Sequence, residues 1–222
     1  MSGRMRQDVA GPPENRSIPE PESLYRANAY RLLAAVLRQP PDQHVLDYLA
    51  GLANGTGPES PDADGGPDSL AASMALLGLA ARHSDPAALA DEFNVLFIGL
   101  GRGELVPFGS WYLTGYLMEK PLGLLRQDLA RLGFERAPEV HEPEDHAAAL
   151  CEVMALLIEE QAALVVQTGF FTAHLESWMP AFFVDMAAAE SAVFYPSLAR
   201  FGTAFLQFEN RYFRIESQPV AR

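Results

Sequence analysis

The chain has a single cysteine, Cys151, and only 16 Lys and Arg against 29 Asp and Glu. It also has no uninterrupted apolar run of the roughly 18 residues that a membrane span needs. The lone thiol excludes an internal disulfide. It sits among apolar positions of a helical pattern, so it is expected to be buried and inert. His146 lies on a different side of that helix and would not serve it as a base. A net charge of −13 argues against nucleic acid, whose phosphates demand a basic face. The same charge permits a basic peptide partner, steered in by the field of the acids. Arg4 and Arg6 are followed by no apolar h-region, so no signal peptide is expected and the cytoplasm is the expected location.

Motifs for common chemistries are missing as well. Gly99, Gly101 and Gly103 follow a helical pattern and precede a proline, whereas a dinucleotide fingerprint needs a strand before it and a helix after it. There is no Walker Gly-Lys-Ser/Thr and no Gly-x-Ser-x-Gly elbow. His141 and His146 are five apart, not the four that a helical zinc pair wants. No segment alternates with a period of two, and no repeat of 20–50 residues is visible.

What is present is helical spacing from end to end. It predicts an all-α protein: one globular helical domain of about nine or ten helices over residues 21–222, behind a flexible tail at 1–20. A first helix is expected from Glu22 to Arg38, ended by Pro40-Pro41. Asp42 caps a short helix, and 69–82 forms another. Residues 54–68 carry too little apolar surface to offset ordering and are expected to be a flexible loop. Ser84-Asp85-Pro86 starts a helix that Gly99 breaks. Ser110 is expected to cap a helix from Trp111 to Lys120, and Pro121 to open one closed by Gly133. A long central helix is expected from Pro143 to Thr168, stopped by Gly169. It begins where Glu142, Glu144 and Asp145 meet the positive end of its dipole. Two short helices meet at Trp178-Met179-Pro180, and a last one runs from Ser191 to Ile215.

Glu135 to Glu160 holds eight acids and one base, Arg136. Such a run is ordinarily a solvated face, and it also suits docking of a basic segment. His174 and Trp178, four apart, share a helix face, either in the core or lining a groove. A rival reading makes the chain a small metal-binding protein or enzyme using His141, Asp145 and His146.

Four stretches then resemble the TorD/DmsD family of cytoplasmic chaperones for molybdenum-containing reductases of the DMSO reductase type. They are Glu92-Phe93-Asn94 running to Gly99; Val106-Pro107-Phe108-Gly109-Ser110-Trp111-Tyr112; Glu142-Pro143-Glu144-Asp145-His146; and His174 to Pro180, followed by Phe194-Tyr195. Phe108 stands where the family has tyrosine. The resemblance implies a non-enzymatic, all-helical chaperone without a cofactor, monomer or homodimer. Such a protein binds the twin-arginine signal peptide and apo-form of a molybdoenzyme catalytic subunit, assists cofactor insertion and delays export. It also implies a client-binding set of Glu142, Glu144, Asp145, His146, Tyr112, Ser110, His174 and Trp178.

Overall fold

The computed structural model describes residues 20–52, 66, 69–136 and 141–216. The expected tail at 1–20, apart from Glu20, and the expected flexible loop at 54–68, apart from Gly66, lie outside them. Among the described residues there are ten α-helices, two π-helical turns and no strand. The helices are α1 Pro21–Arg38, α2 Gln43–Leu52, α3 Leu70–Arg82, α4 Pro86–Phe93, α5 Gly109–Thr114, α6 Lys120–Leu132, α7 Ala147–Glu159, α8 Leu164–Phe171, α9 Met179–Ala188 and α10 Tyr195–Glu216. The π-turns, Asn94–Ile98 and Thr172–Glu176, continue α4 and α8.

α1 and α7 form the central antiparallel pair. Arg31 reaches Glu159 and Arg38 reaches Glu152, so the residue numbers run in opposite senses. α10 packs on α3 and α9, and α2 lies along α3. Local rules explain several ends. Ser69 and Asp85 accept hydrogen bonds from the first N–H groups of α3 and α4. Gly133 ends α6 in the left-handed conformation at φ 80°.

Several expected boundaries are corrected. The long central helix is two helices, α7 and α8, separated at 160–163, where Gln161 has φ 56°. Gly169 lies inside α8 rather than ending the pattern. The residue capping α7 is His146, four positions beyond Glu142. The helix expected from Trp111 to Lys120 stops at Thr114, with left-handed Gly115 behind it, and Ser110 lies inside α5 instead of capping it. α10 begins at Tyr195 because the Glu92 carboxylate accepts the N–H groups of Val193, Phe194 and Tyr195 at 2.7–3.1 Å.

The core is rich in phenylalanine, and one glycine is sized to it. A Cβ at Gly202 of α10 would sit inside van der Waals contact of the buried Phe183 ring of α9. Gly202→Ala is therefore expected to destabilise by about 1–3 kcal/mol, the usual cost of overpacking. Thermal unfolding checks this, and Gly202→Ala combined with Phe183→Leu should recover part of the loss.

Candidate functional site

Two stretches far apart in sequence are sewn together. Phe108 and His146 form an isolated antiparallel bridge. The Gly109 N–H donates to the Asp145 carbonyl, and the Ala147 N–H to the Pro107 carbonyl, both at 2.9 Å. The Ser110 N–H donates to Asp145 Oδ2 at 2.7 Å. The Phe108 ring meets the His146 ring edge-on at 5.0 Å. The loop at 141–146 and the start of α5 are thus one structural unit.

His146 is an interior group. Its Nδ1 accepts the Ala148 N–H at 3.1 Å, which makes it the α7 cap. Burial, and secondarily the charge of Arg38, push its pKa down from 6.5 to about 4. It is neutral at pH 7, and its acceptor nitrogen is already committed to the backbone. Asp145 is 3% exposed. Its Oδ1 is buried and makes no hydrogen bond among the described residues, an uncommon condition for a buried carboxylate oxygen.

The opposite wall comes from the second π-turn. There the Trp178 Nε1–H donates to the His174 carbonyl at 2.7 Å. Single π-turns inserted in α-helices recur at functional sites. His174 Nε2 lies 2.7 Å from Asp128 Oδ2 of α6, and Arg131 holds the other Asp128 oxygen. The indole lies on Gly109, where an added Cβ would stand 3.0 Å from Trp178 Nε1, so the close approach favours glycine. Tyr112 packs behind Trp178 at 5.5 Å and donates its hydroxyl hydrogen to Asp185. Burial, and then the bond to Asp185, raise the Tyr112 pKa well above its ordinary value.

Between these walls lies a recess of about 500 Å³. Ser110, Asp145, His174 and Trp178 all line it, so four of the eight sequence-derived residues converge. Tyr112 supports it from behind. Glu142 is exposed and lies outside it. Glu144 is held by Arg126 at 2.8 Å and Arg136 at 3.7 Å. Those hydrogen bonds and charges outweigh the opposing effect of burial and lower its pKa. Three acids of the run are therefore already engaged rather than free acceptors. Arginines of α1 and α6 already pair with Glu144, Glu152 and Glu159. Among the described residues no three His, Cys, Asp or Glu side chains converge as a metal would need.

Sequence reasoning missed the contribution of α6 and of Ala173. Lys120, Leu124 and Asp128 recur every four residues and all line the recess. That spacing was legible. Its partner wall was not, because it comes from the second π-turn.

Comparison with known proteins gives a consistent picture. A family model described as nitrate reductase delta subunit matches residues 64–184, more than half of the 222-residue chain. A protein named "Chaperone protein TorD" from Vibrio cholerae is 33% identical over 144 residues, covering 60% of this chain and 66% of that relative. A protein of the same name from Vibrio atlanticus is 26% identical over 204 residues, covering 84% and 94%. In fold, the chain is similar to a crystal structure titled as a putative redox enzyme maturation protein from Archaeoglobus fulgidus. The TM-score is 0.54 and the identity 18%, over 92% of this chain and 99% of that one. No helix among the described residues is long and apolar enough to cross a membrane.

Proposed function

The chain belongs to the nitrate reductase delta subunit family, and from that premise we propose that it is a non-catalytic assembly chaperone for a molybdenum-containing oxidoreductase. In this reading it binds the twin-arginine signal peptide and apo-form of the catalytic subunit in the cytoplasm, assists cofactor insertion and delays export. The TorD name carried by its relatives supports the class. One observation favours the recess as the peptide site: Asp145, which lines a largely apolar cavity, carries a buried Oδ1 without a hydrogen-bond partner among the described residues. A signal peptide brings guanidinium donors followed by an apolar run. Arg prefers carboxylates, through charge-assisted hydrogen bonds. Asp145 supplies the acceptor, while the exposed Leu113 and Leu124 supply apolar surface, backed by the buried Trp178. His146 and Glu144 act indirectly here, as the α7 cap and as the partner of Arg126.

Asp145→Asn tests this cleanly. The amide oxygen can still accept the Ser110 N–H, so the fold should hold, while a donor replaces the free acceptor. Titration calorimetry with a twin-arginine signal peptide should register a loss of about 2–5 kcal/mol, the cost of removing one partner of a desolvated charge contact. Wild-type affinity in this variant would place the peptide elsewhere.

A further inference from the structure

The recess is smaller than the segment assigned to it. A volume of about 500 Å³ suits one drug-sized ligand. The apolar run of a signal peptide has about 7–15 residues. As a helix, even seven of them fill a cylinder roughly 10 Å long and 10 Å across, more than the recess encloses. The surface that continues the recess is apolar. Thr114 of α5 and Lys120 of α6 both line the cavity, and residues 115–119 join them directly. That loop is therefore part of the rim, and it is tied to the wall where the Met118 N–H donates to Ser110 Oγ at 3.2 Å. Tyr116 and Met118 are 70% and 72% exposed, and Leu113, Leu117 and Leu124 are exposed as well. Among the described residues, no separate stretch of equal length exposes as many large apolar side chains as 113–124, so the patch is not the ordinary scatter of a surface. Met118 also has φ 58°, a left-handed conformation that its Cβ disfavours and that asparagine or glycine adopts more readily. A plain surface turn would be better served by asparagine on both counts, and such outliers cluster at functional sites.

We propose that the 115–119 loop is the outer half of the client site: the signal peptide's apolar run enters the recess with its first residues and lies on Tyr116, Leu117 and Met118 with the rest. This rests on the reading of the recess as the peptide site. Leu113 and Leu124, exposed and lining the cavity, make the apolar surface continuous from recess to loop. Methionine suits such a surface, because its unbranched thioether adapts to varied apolar partners. Tyrosine offers a wide, rigid ring at low entropic cost. Affinity then grows with the length of the apolar run beyond what the recess encloses.

The test uses two fluorescein-labelled twin-arginine peptides that differ only in the apolar run, about three residues in one and about ten in the other. Binding to the full-length protein is measured by fluorescence anisotropy. The wild type should bind the long peptide about tenfold or more tightly than the short one, as expected when exposed apolar side chains are covered. Tyr116→Ser combined with Met118→Asn should bring the long peptide down to the affinity of the short one and leave the short one unchanged. The unfolding temperature should stay at or above that of wild type, since both side chains are exposed and asparagine tolerates φ 58°. Leu100→Ser removes another exposed apolar side chain, one that does not line the recess, and should change neither affinity. The role of the loop is overturned if the double variant keeps the long peptide within about threefold of wild type, if it loses the short peptide equally, or if Leu100→Ser costs as much. In each of those cases weaker binding in Asp145→Asn leaves the recess standing as the peptide site. If Asp145→Asn binds the long peptide like wild type, or if wild type binds neither peptide, both readings fall.

Discussion

Replacing Arg26 by methionine is expected to cost about 3–5 kcal/mol of folding stability, the range for removing one partner of a buried ion pair. Arg26 is 1% exposed, and Glu209, its partner across α1 and α10, is fully buried. The guanidinium grips both carboxylate oxygens, at 2.6 and 2.9 Å, and donates to Gln167 of α8 at 3.1 Å. The Tyr30 hydroxyl donates to Glu209 Oε2, and Arg26 lies over the Tyr212 ring at 4.0 Å. Burial opposes the guanidinium's charge, but the hydrogen bonds and charge of Glu209 outweigh it and hold its pKa above the ordinary value. Methionine would leave Glu209 in the interior without a counter-charge. The double replacement Arg26→Met, Glu209→Leu should restore most of the loss, because a well-packed apolar pair often equals a buried ion pair. Urea unfolding of both variants measures the two values.

Acidification from pH 6.5 to 4 is expected to remove roughly 3 kcal/mol through His146 alone, since each pKa unit is worth about 1.4 kcal/mol. Its pKa is about 4 in the fold against 6.5 unfolded. Within that window the unfolded chain binds a proton that the native chain refuses, so stability is complete above pH 6.5 and is lost as pH falls toward 4. His146→Asn keeps a cap acceptor for the Ala148 N–H and has no titration in this range. Its stability should vary less between pH 7 and 4.5 than that of the wild type. Equal slopes in the two proteins would refute the assignment. His146→Ala, by contrast, removes the α7 cap and should destabilise, so loss of client binding in that variant would say little about contact.

How much of this was legible depended on range. The all-helical class, the caps Asp42 and Gly133 and the helix start at Ser84-Asp85-Pro86 follow from local pattern, and the structure places them there. The break between α7 and α8 does not. Glu160-Gln161-Ala162-Ala163 contains no proline or glycine and favours helix locally. In the fold, Gln167 Nε2 donates to the Ala162 carbonyl at 2.8 Å while its amide oxygen accepts from Arg26. A residue 141 positions away helps fix that turn. The α7 start was misplaced because histidine is seldom the capping residue, whereas the upstream Glu-Pro-Glu carries the usual signal. In the site, the resemblance brought out Ser110, Asp145, His174 and Trp178. Residue pattern alone did not predict their convergence, because the bridge at Phe108 and His146 and the π-turn at Thr172–Glu176 join segments with no local sign of each other.

The central claim, that the recess between α6, the Asp145 loop and the second π-turn holds the client's signal peptide, is tested most directly by filling it. Ala173 is exposed on the π-turn and lines the cavity, so Ala173→Phe should occupy the space without entering the core. Titration calorimetry with a twin-arginine signal peptide, alongside thermal unfolding, gives the answer. The expected result is an unfolding temperature within about 2 °C of wild type, as for a surface change, together with an affinity lower by about tenfold or more, or about 1.4 kcal/mol. Wild-type affinity in the folded variant would contradict it.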